Sequence, residues 1–584
     1  MARPLRIGNC SGFYGDRFAA MREMLEGGDL DVLTGDYLAE LTMMILFRIR
    51  VKDPNGGYAT SFLRQLEDCL GLAWEKGVRV VVNAGGLNPA GCAGAVRDLA
   101  QRLGLTVKVA HVEGDDVLPR MSELRDAGVA LPNLDTGAPL LADPLTANAY
   151  LGGWGIAAAL DAGADVVVTG RVTDAALVIG PSAWWHRWER DNWDALAGAL
   201  VTGHILECGA QTTGGNYSFF TEIPNLEHAG FPLAEVAEDG SSVITKHEGT
   251  GGAVTVGTVT AQLLYEIGGP FYLNPDVTAD FGSIELTQDG PERVRVSGVR
   301  GVAPPPTTKV CLNLVGGYRN RMEFLLTGLD IDAKAALVQR QLAPVLDGVR
   351  DVSWSLARTD HEDPATNEQA VATLRLTVKD SDDKRIGRPF SNAAVEIALA
   401  SYPGCTLTSP PGPATMYGVY WPALMPNEMV RHDAVLADGT RIAIEPPKET
   451  SAKVPQRPTA QPLGASSGGV TGTLRAPLGT LVGARSGDKG GNANIGVWAE
   501  TDAAYGWLSR GLTVEKLREL LPETADLRIE RHELPNIRAL NFVVHGLLGE
   551  GVSAGTRQDP QAKGLGEWLR SRHVNIPLAL IEGT

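Results

Sequence analysis

The sequence predicts an α/β protein with a parallel Rossmann-like sheet in its N-terminal half, an α+β middle domain and a small C-terminal ferredoxin-like α/β sandwich. Up to about residue 265, strand-like runs end in glycine-rich turns and are followed by amphipathic helix patterns. Shorter β-rich pieces then surround one helix pattern at 331–346. From about 478 the order is strand, loop, strand, helix, strand, strand, helix, which suits a two-layer sandwich.

Composition narrows the class of protein. The 584 residues carry a net charge of −17, which argues against a nucleic-acid partner, because such a partner requires a basic face. No apolar run reaches the ~18 residues of a membrane span, and the start passes into a strand without a secretory signal. We therefore expect a cytoplasmic protein that binds a small molecule. Six scattered cysteines indicate neither disulfides nor a zinc site.

The length predicts several domains. We place an α/β domain at 1–268, an α+β domain at 269–445 and a small α/β sandwich at 478–584. Residues 446–477 are rich in Pro, Ser, Thr, Gly and Ala and are predicted to be a linker. The abundance of glycine and tryptophan favours a homo-oligomer.

Polar turns follow the predicted N-terminal strands in order. The strand at 5–9 leads into Cys10–Asp16, 31–33 into Thr34–Leu38, 79–82 into Asn83–Gly91, 107–112 into Glu113–Asp116, and 165–168 into Thr169–Asp174. Open α/β sheets bind ligands at the carboxyl ends of their strands, so these turns predict a binding edge. The first turn is not G-x-G-x-x-G, which disfavours NAD or FAD.

Two later turns belong to the same half. One is the polar segment Cys208–Asn216, and the other is His247–Gly252, which follows a strand at 243–246 and precedes a helix at 253–267. Thr250 is predicted as the N-cap of that helix. The free N–H groups of the first helical turn would then hold a carboxylate or phosphate.

The segment Arg485–Gly496 is predicted to be a twelve-residue loop between two strands. Four glycines would let its N–H groups converge on an anion, while Arg485 and Lys489 add positive charge. The G-x-x-x-x-G-K-[ST] spacing of a P-loop is absent. We expect this loop to cap the strand-end pocket, from its own chain or from a neighbouring subunit.

Several of these motifs together resemble one family. Asn9-Cys-Ser-Gly-Phe-Tyr-Gly-Asp16, Thr34-Gly-Asp-Tyr-Leu-Ala-Glu40, Asn83-Ala-Gly-Gly-Leu-Asn-Pro89, Thr169-Gly-Arg-Val-Thr-Asp174 and His247-Glu-Gly-Thr-Gly-Gly252 resemble the acyclic terpene utilisation (AtuA-type) family. Arg485–Asn494 and Asn541-Phe-Val-Val-His-Gly546 resemble that family's small C-terminal domain. The resemblance implies a role in breaking down branched acyclic terpenoid or related acyl-CoA compounds, by a lyase or hydratase step. It brings no agreed catalytic residues.

Roles must therefore be argued from chemistry. For proton transfer, His247 and Glu248 are the first choice, followed by Asp36 and Asp174. The predicted substrate-binding residues combine backbone amides, side-chain amides, hydroxyls and cations: Asn83, Gly85, Gly86, Asn88, Arg171, Thr250, Gly251, Gly252, Arg485, Ser486, Lys489, Asn492 and Asn494. Coenzyme A is expected only as part of a substrate.

Each of these assignments has a structural alternative. His247 and Glu248 could form a satisfied turn, Asp174 could stabilise a helix dipole, and Arg171 could form a structural ion pair. A metal site through Asp36, Asp135, Asp174 and His247 lacks the support of any H-x-x-x-H or H-E-x-x-H motif, so we assign no metal and leave divalent-metal use open.

Two other functions stay open beside the lyase or hydratase. The protein could be a hydrolase or transferase that acts on small carboxylates or amides, although no G-x-S-x-G elbow supports a serine enzyme. It could also be a non-catalytic ligand-binding or assembly subunit.

Overall fold

The computed structural model describes residues 3–453 and 472–581. The strands are β1 Leu5–Asn9, β2 Val32–Gly35, β3 Arg79–Val82, β4 Val109–Glu113, β5 Thr146–Ala149, β6 Val166–Thr169, β7 Pro232–Val236, β8 Ser242–Lys246, β9 Phe271–Leu273, β10 Thr278–Asp280, β11 Glu285–Gln288, β12 Val294–Ser297, β13 Arg300–Val302, β14 Thr307–Thr327, β15 Asp351–Ala357, β16 Val371–Asp380, β17 Thr406–Leu407, β18 Thr415–Pro426, β19 Asp433–Val435, β20 Arg441–Ala443, β21 Thr473–Pro477, β22 Val482–Lys489, β23 Asn492–Ala499, β24 Ile529–Leu534, β25 Ala539–Val544 and β26 His573–Pro577. The α-helices are α1 Ala20–Glu26, α2 Glu40–Lys52, α3 Thr60–Glu75, α4 Pro89–Arg102, α5 Met121–Asp126, α6 Trp154–Asp161, α7 Ala176–His186, α8 Trp193–Leu206, α9 Val256–Leu263, α10 Ile331–Leu346, α11 Arg388–Glu396, α12 Asp502–Gly511, α13 Val514–Leu520, α14 Leu565–Ser571 and α15 Leu578–Ile581.

The largest sheet is mixed. Its strand order is β11-β12-β8-β7-β1-β2-β3-β6-β4-β19-β20. The five strands from β1 to β4 in this order are parallel, as the glycine-turn pattern predicts. The strands on both flanks are antiparallel to their neighbours, so the predicted parallel sheet is the centre of a wider one.

Hydrophobic cores cover both faces of this sheet. Val80 and Val82 on β3 belong to one core with α1, α3 and α4, whereas Val81 belongs to the other with α6, α7 and α8. Successive side chains of a strand point to opposite faces, so a continuous valine run suits a strand that is buried on both sides. Because hydrophobic cores cover both faces of this sheet, its polar side chains lie at the ends of the strands.

The C-terminal segment forms the predicted small sandwich. Its antiparallel sheet has the order β22-β23-β25-β24, and side chains of α12, α13 and α14 share its core. The prediction of a loop at 485–496 was wrong, because β22 and β23 pair continuously from Val482 with Ala499 to Lys489 with Asn492. Only Gly490 and Gly491 form the turn, and Gly490 has a φ of +64° that suits glycine.

Residues 314–419 and 553–558 form a second compact unit, and the other described residues form the first. In the second unit β16 pairs antiparallel with β14 and β15, and α10 covers the sheet with the predicted bounds Ile331–Leu346. The prediction of a linker at 446–477 falls partly on residues 454–471, which lie outside the described residues, whereas Thr473–Pro477 form β21.

None of the helices that the structure describes is long and apolar enough to cross a membrane.

Candidate active site

Three neighbouring parallel strands bring Asp36, Asn83 and Arg171 to one edge of the sheet. Asp36 follows β2, Asn83 follows β3 and Arg171 lies two residues after β6. Asn83 Nδ2 donates to Asp36 Oδ1 at 2.5 Å, and Asn83 Oδ1 accepts the Tyr37 N–H at 2.7 Å. All three polar side chains are buried. The amide therefore fixes both the Asp36 carboxyl and the turn that carries it.

The Asp36 carboxyl is strongly perturbed. Burial raises its pKa well above the usual value, and the Asp174 carboxylate raises it further, whereas Arg171 and the hydrogen bond from Asn83 oppose the rise. A carboxyl group in this environment holds its proton to a higher pH than an exposed aspartate does. Such a group in a polar strand-end site is suited to acid–base chemistry.

Arg171 supplies the buried positive charge. Its Nη1 lies 2.7 Å from Asp174 Oδ1, and its guanidinium lies over the Tyr150 ring at 4.2 Å. Burial opposes the charge, but Asp174, Tyr150 and Asp36 outweigh it and raise the pKa of Arg171 well above its usual value. Asp115 accepts the main-chain N–H of Arg171 at 2.9 Å, so it positions the turn.

A second perturbed carboxyl group, Glu207, lies at the end of α8. Asn9 Nδ2, at the end of β1, donates to the Leu206 carbonyl oxygen at 2.6 Å and to that of Glu207 at 3.3 Å, which ties this helix end to the strand ends. Burial, followed by the carboxylates of Asp174 and Glu266, raises the pKa of Glu207 well above its usual value.

His204 lies one helical turn before Glu207, with its Nδ1 3.0 Å from Glu207 Oε1. Burial, followed by the charge of Lys489, lowers the pKa of His204 to about 4, so the imidazole is neutral at pH 7. His204 Nε2 and Glu207 Oε2 are buried without hydrogen-bond partners in the described residues. Buried orphan atoms of this kind are uncommon, and two of them together indicate a site with unused binding capacity.

The C-terminal domain contributes to this site by holding Glu266, a residue of the N-terminal half, in place. This residue follows α9 and has a φ of +56°, a left-handed conformation that is rare outside glycine. Its N–H donates to Asn494 Oδ1 at 2.9 Å, and its carbonyl accepts from Lys489 Nζ at 2.9 Å. Asn494 Nδ2 also donates to the Leu264 carbonyl at 2.7 Å. The β22–β23 hairpin therefore holds Glu266 in its unusual backbone conformation.

Lys489 brings a cation from the hairpin to the strand-end groups. Its side chain is exposed, and its Nζ lies 5.8 Å from the centroid of the Tyr272 ring. Its charge opposes the rise in the pKa of Glu207 and depresses that of His204. An exposed ammonium beside buried carboxyl groups can contact an anionic part of a ligand.

The other predicted residues of the hairpin attach it to the rest of the protein. Arg485 donates to Gln211 Oε1 and lies over the Tyr265 ring at 4.3 Å. Ser486 Oγ donates to the Ala562 carbonyl at 2.7 Å. Asn492 Nδ2 donates to Asp135 Oδ1 at 2.8 Å. These groups are engaged within the chain.

His247 and Glu248 do not join the strand-end groups. His247 is buried, and its Nε2 donates to the Met24 carbonyl at 2.9 Å. Burial, together with the charges of Arg6 and Lys76, lowers its pKa, with no contribution from the carboxylates described above. Glu248 is exposed.

The prediction of Thr250 as the N-cap was wrong. The cap of α9 is Thr255, whose hydroxyl accepts the Thr258 N–H at 3.1 Å in a capping box, and Thr250 Oγ1 instead donates to the His247 carbonyl at 2.7 Å. Just before α9 the Val254 N–H donates to Glu292 Oε2 at 2.7 Å. The protein's own side chains therefore occupy the start of this helix.

The predicted backbone amides are also engaged. The N–H groups of Gly85, Gly86 and Gly252 donate to main-chain carbonyls, those of Thr169, Asn83 and Pro224. A Cβ on Gly85 would lie 2.4 Å from the Thr169 oxygen, and one on Gly251 would lie 2.1 Å from the Asn225 oxygen. Asn88 caps α4 by accepting the Gly91 N–H at 2.9 Å. Close packing thus accounts for these positions.

Sequence reasoning missed Glu207, His204, Glu266 and Tyr272. The sequence signal for Glu207 is a single acidic residue that ends the almost wholly apolar segment 195–206. Glu266 likewise follows the apolar helix α9, and Ile267 and Gly268 come directly after it. A lone carboxyl group beside so many buried residues must itself be partly buried, which marks it as a functional candidate.

In the part of the chain that the structure describes, no three His, Cys, Asp or Glu side chains are arranged to hold a metal ion.

Comparison with known proteins gives two family matches. The model described as acyclic terpene utilisation family protein AtuA matches residues 5–436, which is more than half of the chain. The model described as AtuA ferredoxin-like domain matches residues 476–575. No curated protein matches the chain.

Proposed function

Because the chain belongs to the acyclic terpene utilisation family AtuA and carries the AtuA ferredoxin-like domain, we propose that it is an enzyme acting on a branched acyclic acyl thioester or carboxylate. The reaction is a lyase or hydratase step. The predicted resemblance to this family is confirmed, and the family implies a role in acyclic terpene utilisation.

One observation carries the choice of reaction. Asp36 and Glu207 are two buried carboxyl groups whose pKa values are both raised, and the Asp174 carboxylate acts on both. A lyase or hydratase must remove one proton and deliver another, typically at the carbon next to a carbonyl and at the leaving group. Two carboxyl groups in different surroundings can divide these tasks.

The surroundings suggest which group does which. Asp36 receives a hydrogen bond from Asn83 and lies beside Arg171, and both favour its ionised form, so Asp36 is the general base. Glu207 instead has neutral His204 as its side-chain partner, and burial with the carboxylates of Asp174 and Glu266 raises its pKa against the opposing charges of Lys489 and Arg171, so we assign Glu207 as the general acid.

Two cationic side chains interact with negative charge on the substrate. Arg171 is buried beside Asp36, where it stabilises the enolate oxygen that forms when the base removes a proton. Lys489 is exposed at the hairpin, where it binds an anionic part of the substrate that extends towards solvent. The hairpin thereby caps the strand-end site from the same chain.

Hydrogen exchange tests the base without knowledge of the product. The protein is incubated in D₂O with branched and straight acyl-CoA thioesters and the matching free acids, and deuterium at the carbon next to the carbonyl is measured by mass spectrometry. We expect exchange into a branched thioester. Asp36→Asn lowers its rate by about 10²–10⁴-fold, the usual contribution of a general base, whereas Glu248→Gln, an exposed control, leaves it unchanged.

Glu207→Gln separates the acid from the base. This variant keeps the exchange but loses net turnover, because proton removal still occurs while protonation of the leaving group does not. If no branched thioester binds or exchanges while free acids do, the thioester part of the proposal is wrong. Equal exchange in wild type and Asp36→Asn would overturn the assignment of the base.

We also propose that the enzyme is a cytoplasmic homo-oligomer, which its acidic, glycine-rich and tryptophan-containing composition supports. Sedimentation of the purified chain measures its oligomeric state, and fractionation of cells that express it measures its compartment.

A further inference from the structure

A cavity of about 350 Å³ is lined by none of the strand-end carboxyl groups, although Tyr150, whose ring lies against Arg171, forms part of its wall. Its walls are mainly apolar and include Leu151, Trp154, Trp193, Pro304 and Val430. This volume is within the range of small-molecule sites, which are concave, mostly apolar and supplied with a few polar groups. Nothing in the proposed acid–base reaction uses it.

Arg190 is a partly buried cation in the wall of this cavity. Its guanidinium is partly buried, lies 5.1 Å from the centroid of the Trp154 ring, and donates to the Glu445 carbonyl at 2.6 Å. Within the described residues it forms no ion pair. Burial lowers the pKa of Arg190, and the charges of Asp276 and Glu445 oppose this shift.

The guanidinium retains several unused N–H donors, arranged to grip a carboxylate with two parallel hydrogen bonds. We propose that this cavity binds a monocarboxylate with an apolar body, whose carboxylate pairs with Arg190 while its body lies between Trp154 and Trp193. A cavity of about 150 Å³ accommodates benzene, so this one accommodates an apolar body of up to about twelve carbon atoms.

The other charges at the cavity favour a singly charged ligand. The exposed charged side chains that line it are Glu189, Asp191, Glu445, Lys448 and Glu449. Four carboxylates against one ammonium repel a polyphosphate, whereas water and salt screen these exposed groups enough to admit one carboxylate. A cationic ligand would be repelled by the positive charge of Arg190 inside the cavity.

Asp276 is the one buried carboxyl group among the lining residues of the cavity. Its Oδ2 accepts the Gly153 N–H at 2.7 Å. Burial raises the pKa of Asp276 to about 6, and the charge of a carboxylate bound beside it would raise this pKa further, so Asp276 takes up a proton as the ligand binds. This buried carboxyl group therefore does not exclude the ligand.

Calorimetry with matched probes tests the proposal. Octanoate, octan-1-ol and octylamine are titrated into the full chain at pH 7.5. We expect octanoate to bind at least tenfold more tightly than the alcohol and the amine. Arg190→Gln should raise the Kd for octanoate at least tenfold, whereas Arg300→Gln, which removes an exposed arginine paired with Asp194 outside the cavity, should leave it unchanged.

A photoreactive test locates the bound acid and does not depend on a variant that folds. An eight- to ten-carbon carboxylic acid carrying a diazirine is cross-linked to the wild-type protein. Labelled peptides should contain Trp154, Trp193 or residues 444–449. Labelling confined to peptides around Asp36 or Glu207 would assign the acid to the strand-end site and overturn the proposal, as would equal affinity for octanoate and octan-1-ol or no octanoate binding.

Discussion

Replacement of Arg171 by methionine tests the electrostatic balance of the strand-end site. Arg171 Nη1 lies 2.7 Å from Asp174 Oδ1, and the arginine is almost fully buried. This contact places the charge centres about 4 Å apart, which gives about 4 kcal/mol at an effective dielectric constant of about 20. Removing one partner of a buried pair typically costs about 3–5 kcal/mol. We therefore expect Arg171→Met to lower the free energy of unfolding by about 3–4 kcal/mol at pH 7.5.

A double-mutant cycle isolates this pair. Urea unfolding is followed by tryptophan fluorescence for wild type, Arg171→Met, Asp174→Asn and the double variant. The coupling energy should reach about 2 kcal/mol or more, because the double variant removes the uncompensated carboxylate. Arg300 and Asp194 form a matched control with the same 2.7 Å contact at the surface, where about 0–1 kcal/mol is expected. Equal coupling in the two cycles would refute the reasoning.

The other predictions concern pH, substrate binding and domain packing. Burial raises the pKa of Asp115 to about 7 from its ordinary value of 3.8, so folding favours its protonated form, and stability is lost as pH rises from about 4 to 7. The loss in the free energy of unfolding is at most about 4 kcal/mol. Unfolding titrations at pH 4.5 and 8 should show this loss in the wild type and not in Asp115→Asn. An equal dependence on pH in the two proteins would contradict this. Lys489→Met should raise KM at least tenfold while lowering the free energy of unfolding by no more than about 1 kcal/mol, the usual contribution of the one hydrogen bond to the Glu266 carbonyl that it removes. Lys489→Arg should restore KM, and an unchanged KM in Lys489→Met would make the lysine structural. Gly496→Ala places a Cβ 2.4 Å from Leu264 and should destabilise by about 1–3 kcal/mol in thermal unfolding. Gly511→Ala, with open space around its Cβ, is the control, and equal melting temperatures would disprove the close packing.

The sequence pattern correctly predicted the strands and helices whose bounds depend only on neighbouring residues. The bounds of β1, β3 and α10 are those expected from the sequence, because hydrophobic period and glycine punctuation define them. The pattern could not assign strands to sheets. The predicted α+β domain at 269–445 includes residues 294–297, yet these form β12, which pairs with β8 in the large sheet. Such a partner is selected by tertiary packing, which a short strand does not encode.

The candidate site was predictable to a similar extent. Asp36, Asn83, Arg171 and Asp174 follow parallel strands, and the strand-end rule brings them together. The rule cannot find Glu207, which comes from a helix end. Residues that follow a strand also need not face the site. His247 directly follows β8, but its ring donates a hydrogen bond to the Met24 carbonyl. That hydrogen bond joins positions 223 residues apart and leaves no local trace.

The hairpin explains why the ferredoxin-like domain and the strand-end site belong together. A left-handed conformation in a residue other than glycine costs on the order of 1–3 kcal/mol and persists only when its surroundings hold it. At Glu266 both main-chain polar groups are held by the hairpin, the N–H by Asn494 and the carbonyl by Lys489. Without the hairpin these bonds are lost, and the backbone is free to relax to a negative φ, which changes the direction in which the Glu266 side chain leaves the main chain. The domain therefore fixes the backbone of a residue whose charge raises the pKa of the proposed general acid.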